Sequence, residues 1–325
     1  MKMNAFPVIA TGVASTSLNG EILAIRYTKI VCKSDNKDEY EALESLHQQM
    51  NEKDSKLSKL SKEEQQIVKD REEFIVHKMN KDTSIENVKD AYLKLHLLSL
   101  KMVKPNTINL EGIFNALPNV VWTNRGPIHP NDLEELRPKY DSFYVRSVDK
   151  FPCLTDYVIP NGVRIGDASR IRLGAYLSEG TTVMHEGFVN FNAGTLGPSM
   201  IEGRISAGVI VGKNSDLGGG CSTMGTLSGG NDVKISIGED CLLGANSGLG
   251  IPLGDRCIVE AGLYLTAGSK VEVLDKDNKL VKTAKASELS SKDDQLFIRN
   301  SLTGAIQCKP NTKKVSLNDQ LHTND

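Results

Sequence analysis

A six-residue repetition of aliphatic side chains runs through the second half of the chain. The first series consists of Ile159, Ile165, Ile171, Leu177, Val183 and Val189, and it continues through Thr195 to Ile201. The second series consists of Ile237, Leu243 and Leu249, and the third, displaced by four residues, of Leu253, Val259, Leu265 and Val271. A period of six matches neither an α-helix nor an alternating strand, but a solenoid whose coils have three short faces produces it. We therefore predict a parallel β-helix of about six coils over 159–271, with each aliphatic member of the series pointing inward.

Strand and helix patterns alternate in the N-terminal hundred residues. Residues 5–33 predict two strands separated by a turn. Capping-box sequences at 61–64 and 83–86 predict the starts of helices. The Lys- and Glu-rich segment 51–71 is typical of a solvated helix surface.

In the rest of the chain, prolines and the end of the six-residue repeats mark the predicted domain boundaries. We expect a connecting region with a short helix around 131–136, and one or two strands within 296–306 that close the end of the solenoid. The predicted fold is mainly β with an α/β N-terminal part. Its predicted domains are an N-terminal α/β domain (1–104), a connecting subdomain (105–155), the β-helix (156–273) and a C-terminal β cap and tail (274–325).

The charge balance and the cysteines narrow the class of protein. With 325 residues, a net charge of -2 and a pI near 6.3, the chain has no basic field to bind nucleic acid or an anionic membrane. It contains no apolar run long enough to span a bilayer. Its six cysteines are scattered, which favours buried free thiols over a disulfide framework. We therefore expect a cytoplasmic protein.

Small and polar residues interrupt the repeats around Glu202. A glycine run, 218–220, follows within one coil and would let a ligand approach the backbone N–H groups, as an oxyanion or thioester carbonyl requires. A carboxylate at Glu202 could deprotonate an amine nucleophile or carry the acyl group as a mixed anhydride. The alternative is an outward-facing Glu202 paired with Arg204, and spacing alone does not separate the two. Cys221, next to the glycine run, is a further candidate for a reactive thiol.

A second group of candidate residues lies one coil earlier. His185 is the only histidine of the repeats, so a three-histidine zinc site is excluded. His185 could act as a general base or be a packed side chain. Glu186 could hold a hard divalent ion if three copies of it met around a trimer axis.

The chain resembles the long form of the tetrahydrodipicolinate N-succinyltransferase family over most of 145–310. The resemblance is carried by residues 184–197, 200–208, 218–220, 224–229, 242–250, 260–264 and 299–301. It implies a left-handed β-helix, a homotrimer with active sites between neighbouring solenoids, and succinyl transfer from succinyl-CoA to the amine of the ring-opened substrate in diaminopimelate and lysine synthesis. It also implies that Glu202 is the catalytic residue and that Gly225 offers its N–H to the thioester carbonyl.

The resemblance further implies a set of succinyl-CoA contacts. They are Arg204, Gly219, Ser222, Ala245, Glu260, Ala261, Gly268, Lys285, Ile298, Arg299, Asn300 and Ser301. Because the alignment around 275–285 contains insertions, Lys279 or Lys282 could take the place of Lys285. Chemically, Arg204 suits a carboxylate and Lys285 and Arg299 suit phosphates.

The chain departs from the family at its magnesium site. The resemblance makes Glu186 a ligand of Mg²⁺ at the trimer axis, but Ser169 stands where the family has a second, acidic ligand. Asp167 shares that face of a strand about 7 Å along the chain.

Two other functions remain open at this stage. A hexapeptide acetyltransferase would use His185 as its base and prefer acetyl-CoA. A solenoid scaffold would use its N-terminal helices to recruit a partner and would bind no CoA thioester.

Overall fold

The computed structural model describes residues 5–51, 71–227, 233–312 and 317. The chain divides into two compact units, Met1–Leu97 with Thr107–Pro152, and Leu98–Asn106 with Cys153–Asp325. Apart from its end residues, the solvated helix predicted over 51–71 lies outside the described residues, and so does the capping box at 61–64.

An antiparallel sheet covered by a helix begins the first unit. Strands β1 (Val8–Thr16), β2 (Ile22–Cys32) and β3 (Glu72–Met79) stand in the order β2-β1-β3. Helix α1 (Lys37–Asn51) contributes Tyr40 to a buried cluster with Ile9 of β1. The two strands predicted within 5–33 are confirmed.

Helix α2 (Val88–Ser99) begins later than its sequence signal predicted. Asn87 caps it, because its Oδ1 accepts the backbone N–H of Asp90 at 3.1 Å. The capping box predicted at 83–86 is therefore wrong, since Thr83 precedes the true cap by four residues.

A second small sheet completes the first unit. Its strands are β4 (Val120–Thr123), β5 (Gly126–Ile128) and β6 (Val145–Asp149), in the order β5-β4-β6, and two short helices are α3 (Ile113–Ala116) and α4 (Leu133–Leu136). Leu136 of α4 packs in a buried cluster with Val121 and Ile128. Helix α4 confirms the short helix predicted around 131–136.

The second unit is a parallel β-helix with three faces. The first face comprises β7 (Arg164–Ile165), β9 (Thr181–Val183), β12 (Ser199–Ile201), β15 (Ser215–Leu217), β18 (Leu242–Leu243) and β20 (Ile258–Val259). The second comprises β10 (Phe188–Val189), β13 (Arg204–Ile205), β16 (Ser222–Thr223), β19 (Gly248–Gly250) and β21 (Tyr264–Thr266). The third comprises β8 (Tyr176–Leu177), β11 (Gly194–Thr195), β14 (Ile210–Val211) and β17 (Ser236–Ile237). Within each face neighbouring strands pair in parallel, as predicted.

The repeated aliphatic positions form the core of the solenoid. Ile171, Val189, Ile201 and Leu243 are among those with no solvent exposure. Ile159 was predicted to point inward as well, but that prediction is wrong, because its side chain is 74% exposed. It precedes β7, the first strand to pair with a neighbouring coil.

Three corners of the solenoid break the six-residue spacing. Ile201 and Ile205 are four residues apart, whereas their neighbours in the preceding coil, Val183 and Val189, are six apart. The coil that contains Ile201 is therefore two residues shorter where the first face meets the second.

The other two corners lie where the second face meets the third. The connection 224–235, before β17, has twelve residues, whereas the connection 206–209 has four. In the next coil, Leu249 and Leu253 are only four residues apart.

Four strands cap the solenoid. They are β22 (Lys270–Leu274), β23 (Leu280–Lys285), β24 (Gln295–Arg299) and β25 (Ile306–Pro310). Strand β24 pairs in parallel with β20 of the last coil and antiparallel with β25, so the cap extends the first face. The closing strands predicted within 296–306 are confirmed. Short 3₁₀ turns lie at Pro130–Asp132, Arg137–Lys139, Leu154–Asp156, Ala168–Arg170 and Ala286–Leu289.

Candidate active site

The turns that join the first face to the second stack into one column along the solenoid. In successive coils they are residues 184–187, 202–203, 218–221, 244–247 and 260–263. Asn246 donates its backbone N–H to Gly219 O, and Gly262 donates its own to Ala245 O, each at 2.9 Å. This corner column is thus rich in glycine and alanine, and backbone hydrogen bonds fix its turns to one another.

Glu202 lies in the shortest turn of the corner column and is half-buried. A methyl group at Gly219 would lie 3.5 Å from Glu202 Oε2 and 3.6 Å from Glu186 Oε2. The two carboxylates, one from each preceding turn, therefore converge on the Cα of Gly219. Because the turn at Glu202 lacks two residues, the space over this glycine stays open.

A cleft of about 530 Å³ opens beside these carboxylates. Arg170, Phe188, Arg204 and Ser222 line it together with Glu186 and the backbone of neighbouring glycines. Arg204 donates from Nη2 to Ser222 Oγ, and none of the ion pairs found in the described part of the chain joins Arg204 to Glu202. The cleft thus combines the arginines Arg170 and Arg204 with Glu186, and it lies beside Glu202, which has no ion-pair partner among the described residues.

Cys221 lines the same cleft but is not a nucleophile. Its thiol is buried, and burial, with smaller effects from Asp216 and Glu202, raises its pKa to about 12. At neutral pH the thiol is protonated and unreactive. All six cysteines are free, and five of them are buried, as the sequence predicted.

His185 has none of the neighbours that a general base needs. Its side chain is exposed, and its Nε2 lies 4.0 Å from Glu186 Oε1. Nothing in the described structure orients the ring toward a substrate position, in contrast to the convergence of Glu186 and Glu202 on Gly219.

The residues around Glu186 in one chain do not fit a metal ion. Ser169 directs its hydroxyl and backbone N–H to Asp167 Oδ1, at 2.7 and 2.8 Å. These hydrogen bonds are the main reason that the pKa of Asp167 lies below its usual range. No group of three potential His, Cys, Asp or Glu ligands occurs among the described residues. We therefore derive no step through a metal.

Several predicted CoA contacts continue the corner column toward the cap. Gly219, Ala245 and Ala261 occupy successive turns, and Glu260 Oε2 accepts the backbone N–H of Arg299 at 2.7 Å. Ile298, Asn300 and Ser301 belong to the same stretch as Arg299, directly after the pairing of β24 with β20. The structure thus brings these residues into one line that starts at Glu202.

Three predicted residues lie instead at the other edge of the second face. Gly225 stands beside Ala207, where a methyl group at Gly225 would be 3.0 Å from Ala207 O. Its N–H donates to no acceptor among the described residues, and its carbonyl accepts from Ile235. Gly203 is the chain neighbour of Glu202, and Ala207 is the residue beside Gly225. At about 3.3 Å per residue, some 13 Å of extended chain separates Gly203 from Ala207. Within one chain, therefore, Gly225 does not meet Glu202.

Gly268 and Lys285 lie together at this same second edge. Gly268 is in the turn between β21 and β22, and Lys285 pairs with Lys270 just after that turn. Lys282 pairs with Val273 further along the hairpin, and Lys279 lies at its turn, where its N–H donates to Asp275. Of the three lysines, Lys285 is therefore the one that lies beside Gly268.

Two residues of the cleft were missed by sequence reasoning. Arg170 and Phe188 immediately precede the core positions Ile171 and Val189, as Arg204 precedes Ile205. This shared offset puts all three side chains on the outer surface of the second face, and it is the signal that could have found them.

A hexapeptide-type β-helix with carboxylates beside a glycine-floored cleft suits the class of acyltransferases. Three family models match: the N-terminal part of tetrahydrodipicolinate N-succinyltransferase over 18–115, its middle part over 117–152, and the hexapeptide repeat of succinyl-transferase over 234–267. The chain belongs to the tetrahydrodipicolinate N-succinyltransferase family, which confirms the resemblance.

Individual relatives agree with this assignment. The chain is 60% and 62% identical, each over 248 residues, to proteins of Pseudomonas putida and Pseudomonas aeruginosa named 2,3,4,5-tetrahydropyridine-2,6-dicarboxylate N-succinyltransferase. Each alignment covers 75% of this chain and 72% of the relative. A solved structure from Campylobacter jejuni, described as a 2,3,4,5-tetrahydropyridine-2-carboxylate N-succinyltransferase, is 32% identical with a TM-score of 0.82, and covers 97% of this chain and 95% of that one.

None of the described helices is both long and apolar enough to cross a bilayer.

Proposed function

We propose that the protein transfers the succinyl group of succinyl-CoA to the amino group of ring-opened tetrahydrodipicolinate, a step of diaminopimelate and lysine synthesis. The main support for this proposal is the convergence of Glu202 and Glu186 on Gly219, next to a cleft that Glu186 and Arg204 line. The names of the relatives supply the acyl group and the acceptor.

In the reaction, the amine nitrogen attacks the thioester carbonyl carbon, the C–S bond breaks, and the thiolate of CoA leaves. Glu202 takes the proton that the amine loses, and the thiolate is protonated to free CoA. In the alternative route, Glu202 first attacks the thioester to form a mixed anhydride, which the amine then opens. In both routes the N–H of Gly225 stabilises the negative charge on the carbonyl oxygen.

We also propose a homotrimer of left-handed solenoids whose active sites lie between neighbouring chains. The support is the separation of the predicted residues into two groups at opposite edges of the second face. Glu202 and Gly219 lie at one edge, and Gly225, Gly268 and Lys285 lie at the other. Both Glu202 and Gly225 must reach the reacting carbon, so the two edges must come from different chains.

In this arrangement, succinyl-CoA lies along the corner column, with its thioester at Gly219 and its nucleotide end near the cap. Arg204 pairs with the succinyl carboxylate, and Lys285 and Arg299 pair with phosphates. Glu186 would bind Mg²⁺ only where three chains met, so the proposed mechanism does not use a metal. We also propose that the chain has four domains, 1–104, 105–155, 156–273 and 274–325, and that the protein is cytoplasmic.

A thiol-release assay tests the reaction. Succinyl-CoA and acetyl-CoA are each supplied with and without tetrahydrodipicolinate. We expect CoA release only with the dicarboxylate acceptor present, and much faster from succinyl-CoA. Preference for acetyl-CoA, or loss of release in His185→Ala with Glu202→Ala active, would support the acetyltransferase instead. The absence of any change in melting temperature with CoA thioesters would favour the scaffold.

A further inference from the structure

A row of outward side chains crosses the cleft in the direction of the solenoid axis. Arg170, Phe188, Arg204 and Ser222 hold equivalent positions in four consecutive coils, because the bridge Ile171–Val189 and the β10–β13–β16 pairings align them. Neighbouring strands are about 4.8 Å apart, so Arg170 and Arg204 start from backbone positions roughly 10 Å apart, with the phenyl ring between them.

The guanidinium of Arg170 is held in place by the backbone. Its Nε donates to Gly187 O at 3.1 Å and its Nη2 donates to Glu186 O at 2.8 Å. No carboxylate of the described residues lies within ion-pair distance of it, in contrast to the guanidinium of Arg256, which pairs with Asp294. Two carbonyls thus fix the group while its charge and the N–H groups of Nη1 remain available at the cleft.

The position of Arg170 along the axis separates it from the candidate CoA contacts. From Glu202, those contacts run through Ala245 and Ala261 toward the cap, whereas Arg170 lies two coils in the opposite direction. A ligand group at Arg170 therefore belongs to the molecule that meets the thioester from the other side, which is the acyl acceptor.

We propose that Arg170 binds a carboxylate of the acyl acceptor, and that this is the carboxylate at the end of the molecule away from the amine. This inference rests on the proposed function. With the amine near Glu202, the carboxylate on the amine-bearing carbon stays beside that amine, whereas the guanidinium of Arg170 lies at the preceding turn, against Glu186 O and Gly187 O. The carboxylate at the other end of the seven-carbon dicarboxylate extends in that direction, past Phe188 toward Arg170. A guanidinium matches a carboxylate with two parallel N–H···O bonds.

The kinetic test compares Arg170→Ala and Arg170→Lys with Arg164→Ala in the full-length protein. Arg164 is a matched control, because it is an exposed arginine of the same coil that lies on the first face. We expect Arg170→Ala to raise the KM for tetrahydrodipicolinate by at least about tenfold and to leave the KM for succinyl-CoA within about twofold. Arg170→Lys should restore part of the loss, and Arg164→Ala should change neither constant. Equal changes in both KM values, or none, would overturn the inference.

A binding measurement decides the question independently of turnover. Calorimetry compares 2-aminopimelate with 2-aminoheptanoate, which has the same chain and amine but lacks the distal carboxylate. We expect the wild type to bind the dicarboxylate at least about tenfold more tightly, and Arg170→Ala to lose this preference while retaining its melting temperature. If the wild type binds both probes equally, or Arg170→Ala keeps the preference, Arg170 is not the carboxylate site. If the preference depends on Arg170 but no succinyl group is transferred, the carboxylate site stands and the proposed reaction fails.

Discussion

Replacing Gly219 with alanine separates the chemistry of the corner column from its stability. The new methyl group would lie 3.5 Å from Glu202 Oε2 and 3.6 Å from Glu186 Oε2, which are ordinary contact distances that require no movement of the backbone. We therefore expect the free energy of unfolding to change by no more than about 0.5 kcal/mol. The same methyl fills the space above the glycine and displaces water or substrate from both carboxylates.

The loss of activity follows from blocked access. The methyl group occupies the space over Gly219, so the thioester cannot reach its reacting position beside Glu202, and misplacement by about 1 Å can cost on the order of 100-fold in rate. We therefore expect kcat/KM to fall by at least about tenfold in Gly219→Ala with an unchanged melting temperature.

Gly203→Ala is the matched comparison in the same column. Its methyl would overlap Cys221 Sγ and lie 2.6 Å from Cys221 O, a backbone atom that cannot move alone. Overpacking of this kind costs about 1–3 kcal/mol, so this variant should melt several degrees lower. Thiol-release kinetics and calorimetric melting of both variants check the pair. Full activity in Gly219→Ala, or equal loss of stability in both, would refute the assignment of the carboxylates to the open space over Gly219.

Three further outcomes are expected. Cys221 should resist iodoacetamide at pH 8 in the native protein, because burial holds its thiol pKa near 12, and mass spectrometry would detect any labelling. Burial lowers the pKa of His96 to about 4, so between about pH 6.5 and 4 the imidazole is neutral in the folded protein and charged in the unfolded chain. The free energy of unfolding should therefore fall by up to about 3 kcal/mol as the pH drops through that window. Urea denaturation of the wild type and of His96→Phe measures this loss, which should be smaller in the variant. Lys94 is fully buried, and its Nζ donates to Asp82 Oδ1 and Asn109 O at 2.6 Å each. Lys94→Met should therefore lower the free energy of unfolding of the first unit by about 3 kcal/mol, as measured by urea denaturation. A change below about 0.5 kcal/mol would show that these hydrogen bonds add little stability.

The spacing of apolar residues predicted the solenoid because each inward position is repeated in every coil and has no alternative role. Ile171, Ile201 and Leu243 follow the rule, and Ile159 shows its limit, since a residue in phase with the repeat still needs a neighbouring coil to cover it. The helix start at Asn87 was missed because a capping box four residues upstream satisfies the same local pattern.

The site was less predictable than the fold. Glu202 and the glycine run stand out because they interrupt the repeat, but the loss of two residues between Ile201 and Ile205, which opens the space over Gly219, is visible only when coils are aligned in register. Arg170 was missed because an arginine beside a core position is ordinary on a solvated face. Its significance depends on the side chains stacked in the next two coils, which sequence spacing does not show.

The claim that Glu202 of one chain works with Gly225 of its neighbour is tested most directly by mixed trimers. Glu202→Gln removes the carboxylate from one chain, and Gly225→Pro removes the N–H from the other, so each variant should be inactive alone. When the two are co-expressed in equal amounts, about one site in four combines an intact Glu202 with an intact Gly225 from the adjacent chain. We predict that thiol release returns to about a quarter of the wild-type rate per chain. If the mixture is no more active than the separate variants while its trimers form normally, the two residues act within one chain, and the shared site is contradicted.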